Sequence, residues 1–127
     1  MIFGIGVDTA SIARMEKSMA NPAFAARVFG EAERALLAGR GRRAAASAAA
    51  NFAAKEAFGK ALGTGIFKAF DLREAQVLRA ETGAPYFALS GRAAALVQEK
   101  GLKLQVSLTH EGDLATAFVI LEYGQEG

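Results

Sequence analysis

Three alanines spaced four residues apart, Ala53, Ala57 and Ala61, constrain this chain more than any other feature. They belong to an alanine-rich segment from about Arg42 to Leu62 that contains good helix formers and no proline. Residues four apart share one face of a helix, so these three predict a smooth stripe on which another element packs closely. Gly63-Thr64-Gly65 follows and ends the helix. It reads either as a simple C-cap or as a run of exposed amides lying against phosphates.

The same helix carries the first chemical candidate. Between Arg43 and Lys68 the only acidic side chain is Glu56, with Lys55, Lys60 and Lys68 around it. Glu56 and Lys60 lie four apart, which allows a helical ion pair worth about 0.2–0.5 kcal/mol. It equally allows both groups to point into one pocket. A lone carboxylate among cations is what a site for a metal ion and phosphates needs.

Met1 to Asp8 alternates and is apolar, which predicts an N-terminal strand. Gly4 and Gly6 fall on one face of it and leave that face bare for another backbone. Asp8 at the strand's end reads as an N-cap for the helix Ser11–Met19 or as a carboxylate for a metal. Thr9 holds the third glycine position of G-x-G-x-x-G, so no dinucleotide fingerprint is present. Ile12, Met15 and Met19 share a helix face before Asn21-Pro22 breaks it, and short helices follow around Phe24–Phe29 and Glu31–Ala38.

Beyond the long helix, Leu72–Leu78 and Tyr86–Leu89 predict a hairpin through the turn Glu81–Pro85. Ser90 caps a helix to about Lys100, closed by Gly101. Lys103–His110 and Leu114–Tyr123 form a second hairpin, with Leu104, Val106 and Leu108 inward and Glu111-Gly112-Asp113 as its turn. His110, the only histidine, ends a strand and reads as a structural or surface residue; Ser107 and Thr109 read as outward strand positions. The fold class is α+β: a single domain with an antiparallel sheet, built from the N-terminal strand and two C-terminal hairpins, against a long central helix and shorter ones.

At 127 residues the chain is one domain, and 52% hydrophobic residues suffice for a packed core. No apolar run approaches the roughly 18 residues of a transmembrane helix. The start lacks the pattern of a signal peptide, and there is no cysteine, so a cytoplasmic protein without disulfide or thiolate chemistry is expected. Net charge is only +2, but Arg34, Arg40, Arg42 and Arg43 occur with no acid among them. Such a segment suggests an anionic partner or is a solvated loop. A basic nucleic-acid-binding module is one alternative, although no aromatic residues interleave the arginines as stacking platforms. A magnesium-dependent phosphohydrolase using Asp8 and Glu56 is another.

Three segments read together resemble a known family. They are Gly4-Ile5-Gly6-Val7-Asp8 with Ile12 and Arg14; Phe52-Ala53-Ala54-Lys55-Glu56-Ala57 with Lys60-Ala61-Leu62-Gly63-Thr64-Gly65; and Ser107-Leu108-Thr109-His110-Glu111. Their order and spacing, with the Gly83–Tyr86 turn, resemble the holo-acyl-carrier-protein synthase group of 4′-phosphopantetheinyl transferases over nearly the whole chain. The resemblance implies that fold and a reaction: the phosphopantetheine arm of coenzyme A moves to a serine of an apo acyl carrier protein, releasing adenosine 3′,5′-bisphosphate, in fatty acid biosynthesis.

It implies Mg²⁺ held by Asp8 and Glu56, which agrees with an ion that takes one or two carboxylates and completes its shell with phosphates and water. Asp8 and Glu56 are distant in sequence, and the bare Gly4/Gly6 face against the alanine stripe would bring them together. It further implies Glu56 as acceptor of the serine proton, directly or through a bound water, and Lys60 as the neutraliser of phosphate charge. Coenzyme A contacts are implied for Arg42, Arg43, Lys60, Gly63, Thr64, Gly65 and His110, with Arg42 and Arg43 taking the 3′-phosphate across a homotrimer interface. Arg14, Lys17 and Arg27 would meet the acidic carrier protein. Many family members have a basic residue just before F-A-A-K-E; here it is Asn51.

Overall fold

In a computed structural model describing residues 1–63 and 69–124, strand β1 (Ile2–Ser11) lies directly on helix α4 (Ala44–Leu62). The reason is steric. A Cβ on Gly4 would strike the Ala61 carbonyl oxygen, and one on Gly6 the Ala57 carbonyl oxygen. The alanine stripe, fully or almost fully buried, therefore meets a strand face left bare at Gly4 and Gly6. The thin seam leaves Asp8, the next residue on that face, beside the helix.

Around this seam the described chain runs α1 (Ile12–Met19), α2 (Pro22–Val28), α3 (Glu31–Ala38), α4, then β2 (Ala75–Arg79), β3 (Pro85–Leu89), α5 (Gly91–Lys100), β4 (Leu102–Glu111) and β5 (Leu114–Tyr123). The main sheet is antiparallel in the order β1-β5-β4, and β2-β3 form a separate two-stranded sheet. The first hairpin thus stands apart from the sheet joining β1 to the second hairpin. It is fastened to α4 by Phe58, whose ring lies 5.2 Å from that of Phe87 on β3 and 5.0 Å from that of Phe70.

In the main sheet Asp8 pairs with Ala117 and Ala117 with Leu108. Ala115, Ala117, Val119 and Leu121 turn inward and are fully buried. Ile5, Val7 and Phe118 point the other way and are 58%, 53% and 41% exposed, an apolar outer face.

Several local expectations change. Asp8 does not cap α1, because β1 continues through Ser11, and the Ser11 hydroxyl accepts the Arg14 N–H at 3.1 Å. Asp113, from the turn between β4 and β5, completes this cap by accepting the Ser11 hydroxyl at 2.7 Å and the Ala13 N–H at 2.8 Å. Leu72–Glu74 is a 3-10 turn rather than the start of a strand, since the Asp71 carboxylate accepts the Arg73 N–H and so ends extended geometry there. Arg42 and Arg43 likewise precede α4 in a 3-10 turn. Ser90 makes no side-chain cap; the Glu74 carboxylate reaches the Ala93 N–H instead.

Candidate functional site

Two assemblies of polar groups flank α4. The first follows from the glycine–alanine seam. Lys60 Nζ donates to Asp8 Oδ1 at 2.9 Å and to the Val7 carbonyl at 3.1 Å. The helical pair between Glu56 and Lys60 is thus replaced by a contact between strand and helix, which the close approach of β1 makes shorter. That bond holds the Lys60 ammonium above its ordinary value. Glu56 is half-buried, and burial first, then the neighbouring Asp8 charge, push its carboxyl up, with Lys60 opposing. Two carboxylates therefore share one neighbourhood, as the sequence leads one to expect.

Lys55 does not join them. It is turned into the core, where its ammonium donates to Glu33 Oε1 at 2.6 Å and to the Leu72 and Ala75 carbonyls at 2.9 and 2.8 Å. Lys68, Thr64 and Gly65 lie outside the described residues. Gly63 has the left-handed conformation of a helix C-cap, with φ +81°.

Glu56 also borders a cavity of about 370 Å³ whose walls include Met15, Phe24 and Phe52 and whose polar lining includes Ser11 and Arg14. The structure thereby places Arg14 and Glu56 around one cavity. Lys17 and Arg27 are exposed on α1 and α2 and line none of the described cavities.

The second assembly is a cavity of about 220 Å³ lined by Arg40, Arg43, Ser47, Arg79, Thr109 and His110, among others. Arg40 Nη1 lies 3.5 Å from Ser47 Oγ. His110, exposed at the end of β4, faces the arginines and is not a structural residue of the core. Arg42 points elsewhere, into a different depression with Glu16 and Met19. Arg42 and Arg43 are thus split, because consecutive residues of a turn point apart. Asn51, at the position of the missing basic residue, is wholly buried; its amide donates to Glu33 Oε2 at 3.1 Å and to the Val77 carbonyl at 2.9 Å, and accepts from Arg79 Nη2 at 2.9 Å.

Arg40, Arg79 and Ser47 were not among the expected site residues. Arg40 belongs to the visible basic segment. Arg79, an isolated arginine before a turn, carries no local signal, and the folding of the β2–β3 hairpin against α4 alone brings it here.

Ser47 and Glu56 are nine residues apart on α4, which is two and a half turns and about 13.5 Å of rise. The arginine cavity and the carboxylate pair therefore lie on opposite faces of the helix. No group of three or more His, Asp or Glu suited to a metal occurs among the described residues. Magnesium needs only one or two carboxylates alongside substrate phosphates, and the hard oxygens of Asp8 and Glu56 fit that demand.

A pair of neighbouring carboxylates with a separate arginine-lined cavity is the charge pattern that suits a phosphate-rich substrate. Comparison with known proteins makes this specific. The family model for the 4′-phosphopantetheinyl transferase superfamily matches residues 4–119. The holo-[acyl-carrier-protein] synthase of Herminiimonas arsenicoxydans is 44% identical, covering 96% of this chain and 98% of that protein. Among solved structures, the holo-[acyl-carrier-protein] synthase of Neisseria meningitidis superposes with a TM-score of 0.87 at 34% identity, covering 96% of this chain and 99% of that one. The Bacillus anthracis holo-(acyl-carrier-protein) synthase in complex with CoA (3′,5′-ADP) gives 0.82 at 34% identity, covering 98% and 99%. The chain belongs to the 4′-phosphopantetheinyl transferase superfamily.

Proposed function

We propose that this protein transfers the 4′-phosphopantetheine group of coenzyme A to a serine of an apo acyl carrier protein, releasing adenosine 3′,5′-bisphosphate, as a magnesium-dependent homotrimer in the cytoplasm that serves fatty acid biosynthesis. The observation that carries the reading is the nearness of Asp8 to Glu56, which borders a cavity, in a chain similar along its length to holo-[acyl-carrier-protein] synthases.

Asp8 and Glu56 would hold the magnesium, which would supply charge neutralisation for the phosphates of coenzyme A. The rest falls to the chain's own side chains. The carrier serine enters beside Glu56, and its oxygen attacks the phosphorus bearing the pantetheine. Glu56 Oε takes the serine proton; a carboxyl whose affinity for protons is raised by burial is the better base. The phosphorus–oxygen bond to the adenosine bisphosphate breaks as the new one forms. Lys60, anchored on Asp8, faces the negative charge that gathers on the departing phosphate. Arg14, beside Glu56, receives an acidic carrier protein, with exposed Lys17 and Arg27 extending the positive surface and speeding encounter.

The trimer draws support from two observations. The outer face of the main sheet exposes Ile5, Val7 and Phe118. Arginine cavity and carboxylates face opposite ways across α4, so one coenzyme A reaches both only when neighbouring copies each supply one. Arg43 and His110 are then contacts of the coenzyme, with Gly63 near its phosphates. The test is to incubate the protein with apo acyl carrier protein, coenzyme A and Mg²⁺ and to weigh the carrier. A gain of one phosphopantetheine is expected. An unchanged mass for every carrier tried, with or without Mg²⁺, refutes the transfer.

A further inference from the structure

Among the described residues Arg79 forms no ion pair, and the fold holds it in place nonetheless. Its guanidinium is half-buried at the end of β2. Nη2 donates to Asn51 Oδ1 at 2.9 Å, and Nη1 lies 3.3 Å from the neighbouring Leu78 carbonyl. Asn51 cannot turn away, because its amide nitrogen is spent on Glu33 Oε2 and the Val77 carbonyl in the buried interior. Its oxygen therefore aims at Arg79, and the guanidinium is oriented by a fixed neutral acceptor.

Arg40 and Arg43 line the same cavity, and none of the three arginines forms an ion pair among the described residues. Burial, and secondly the nearby Arg40, hold the Arg79 guanidinium below its ordinary value, with the Glu33 charge behind Asn51 opposing them only in part. Clustered, partly desolvated cations with only neutral partners are costly unless an anion joins them. A phosphomonoester suits the vacancy of charge: it carries close to two negative charges and three acceptor oxygens, enough for more than one guanidinium fork. A carboxylate would occupy a single fork.

We propose that Arg79, oriented by Asn51, is a specificity-determining residue that selects coenzyme A by its 3′-phosphate in the cavity shared with Arg40, Arg43 and His110. The identity of the ligand rests on the transferase reading; the anion site rests on the cavity. The buried Asn51 thus contributes through Arg79, passing the cationic role from the helix to the neighbouring hairpin. Asn51 is a positioning residue and does not touch the phosphate.

Calorimetric titration with coenzyme A and with dephospho-coenzyme A, without carrier protein, tests this and needs no turnover. Arg79→Gln should weaken coenzyme A at least tenfold and leave dephospho-coenzyme A within twofold. Arg79→Lys, which keeps the charge and loses the fork, should recover part of the difference. Asn51→Ala should lower the ratio of the two affinities in the same sense, a change that loss of stability alone does not produce. If Asn51→Ala fails to fold, the ratio is read on Asn51→Ser. In the transfer assay Arg79→Gln should raise KM for coenzyme A with kcat unchanged, the mark of uniform binding. An unchanged ratio in Arg79→Gln, or equal losses on both ligands, overturns the proposal. Discrimination through Arg79 in a protein that modifies no carrier would instead refute the transferase reading and leave this site standing.

Discussion

Replacing Lys55 by methionine should cripple folding rather than catalysis, although the residue sits beside Glu56 in sequence. The Lys55 ammonium has three donors, and all three are used: on Glu33, on the Leu72 carbonyl and on the Ala75 carbonyl. Both charged side chains are 0% exposed. Lys55→Met keeps the volume but strands the Glu33 carboxylate with only the Gly30 N–H, at 3.1 Å, and the Asn51 amide. Removing one partner of a buried pair costs about 3–5 kcal/mol. Each orphaned carbonyl adds about 1–3 kcal/mol where water does not reach it. Small domains have only about 5–15 kcal/mol in total.

The assay is urea unfolding. For an m-value near 1.5 kcal/mol/M, a loss of at least about 5 kcal/mol lowers the midpoint by about 3 M or more. One further measurement binds the number to its cause. Adding Glu33→Gln to Lys55→Met should recover stability, because it removes the stranded charge. A loss below about 1 kcal/mol, or a double variant no more stable than the single one, refutes the account.

Four more outcomes follow from the site, the seam and the outer face. Glu56→Gln should abolish transfer yet raise the midpoint of thermal unfolding at pH 7. A carboxyl with its folded value pushed up destabilises the fold above its unfolded value of about 4.5, so the gain should vanish as pH falls below that value; a stability gain that persists at pH 3 contradicts this. Mg²⁺ should stabilise wild type and leave Asp8→Ala unaffected, read as a shift of thermal midpoint with metal concentration. Gly6→Ala should cost at least the 1–3 kcal/mol typical of overpacking, since the obstacle is the Ala57 backbone and not a side chain that rotates away, and circular dichroism melts measure it. Val7→Asp, opposite Phe118 on the outer face, should yield a monomer on a sizing column with transfer lost, while the monomer keeps its helical spectrum.

The glycine–alanine seam is legible in the sequence. Small residues at helical spacing and at strand spacing have one effective use, close packing, and Asp8 follows from it as the next residue on the same strand face. For the Asp8 cap and the Glu56–Lys60 pair, short sequence windows leave two readings open, because the actual partners lie far off in sequence: Asp113 is 102 positions from the Ser11 cap of α1, and Asp8 is 52 positions from Lys60. Lys55 was grouped with Glu56 by adjacency. Neighbours in a helix sequence point about 100° apart, and here that angle separates the core from the site.

By itself the sequence determined the α+β class, the helix that bears Glu56, the turns that need glycine and the family to which the motifs point. Periodicity and special backbone positions are local properties, written in each stretch of chain. Tertiary structure alone decided which cations meet which anions. It turned Lys55 inward to Glu33, sent Lys60 to Asp8, divided Arg42 from Arg43, and carried Arg79 to the buried Asn51. A charged side chain's partner depends on which surfaces come within hydrogen-bond reach, and only the packing of hairpin and strand onto α4 sets that distance.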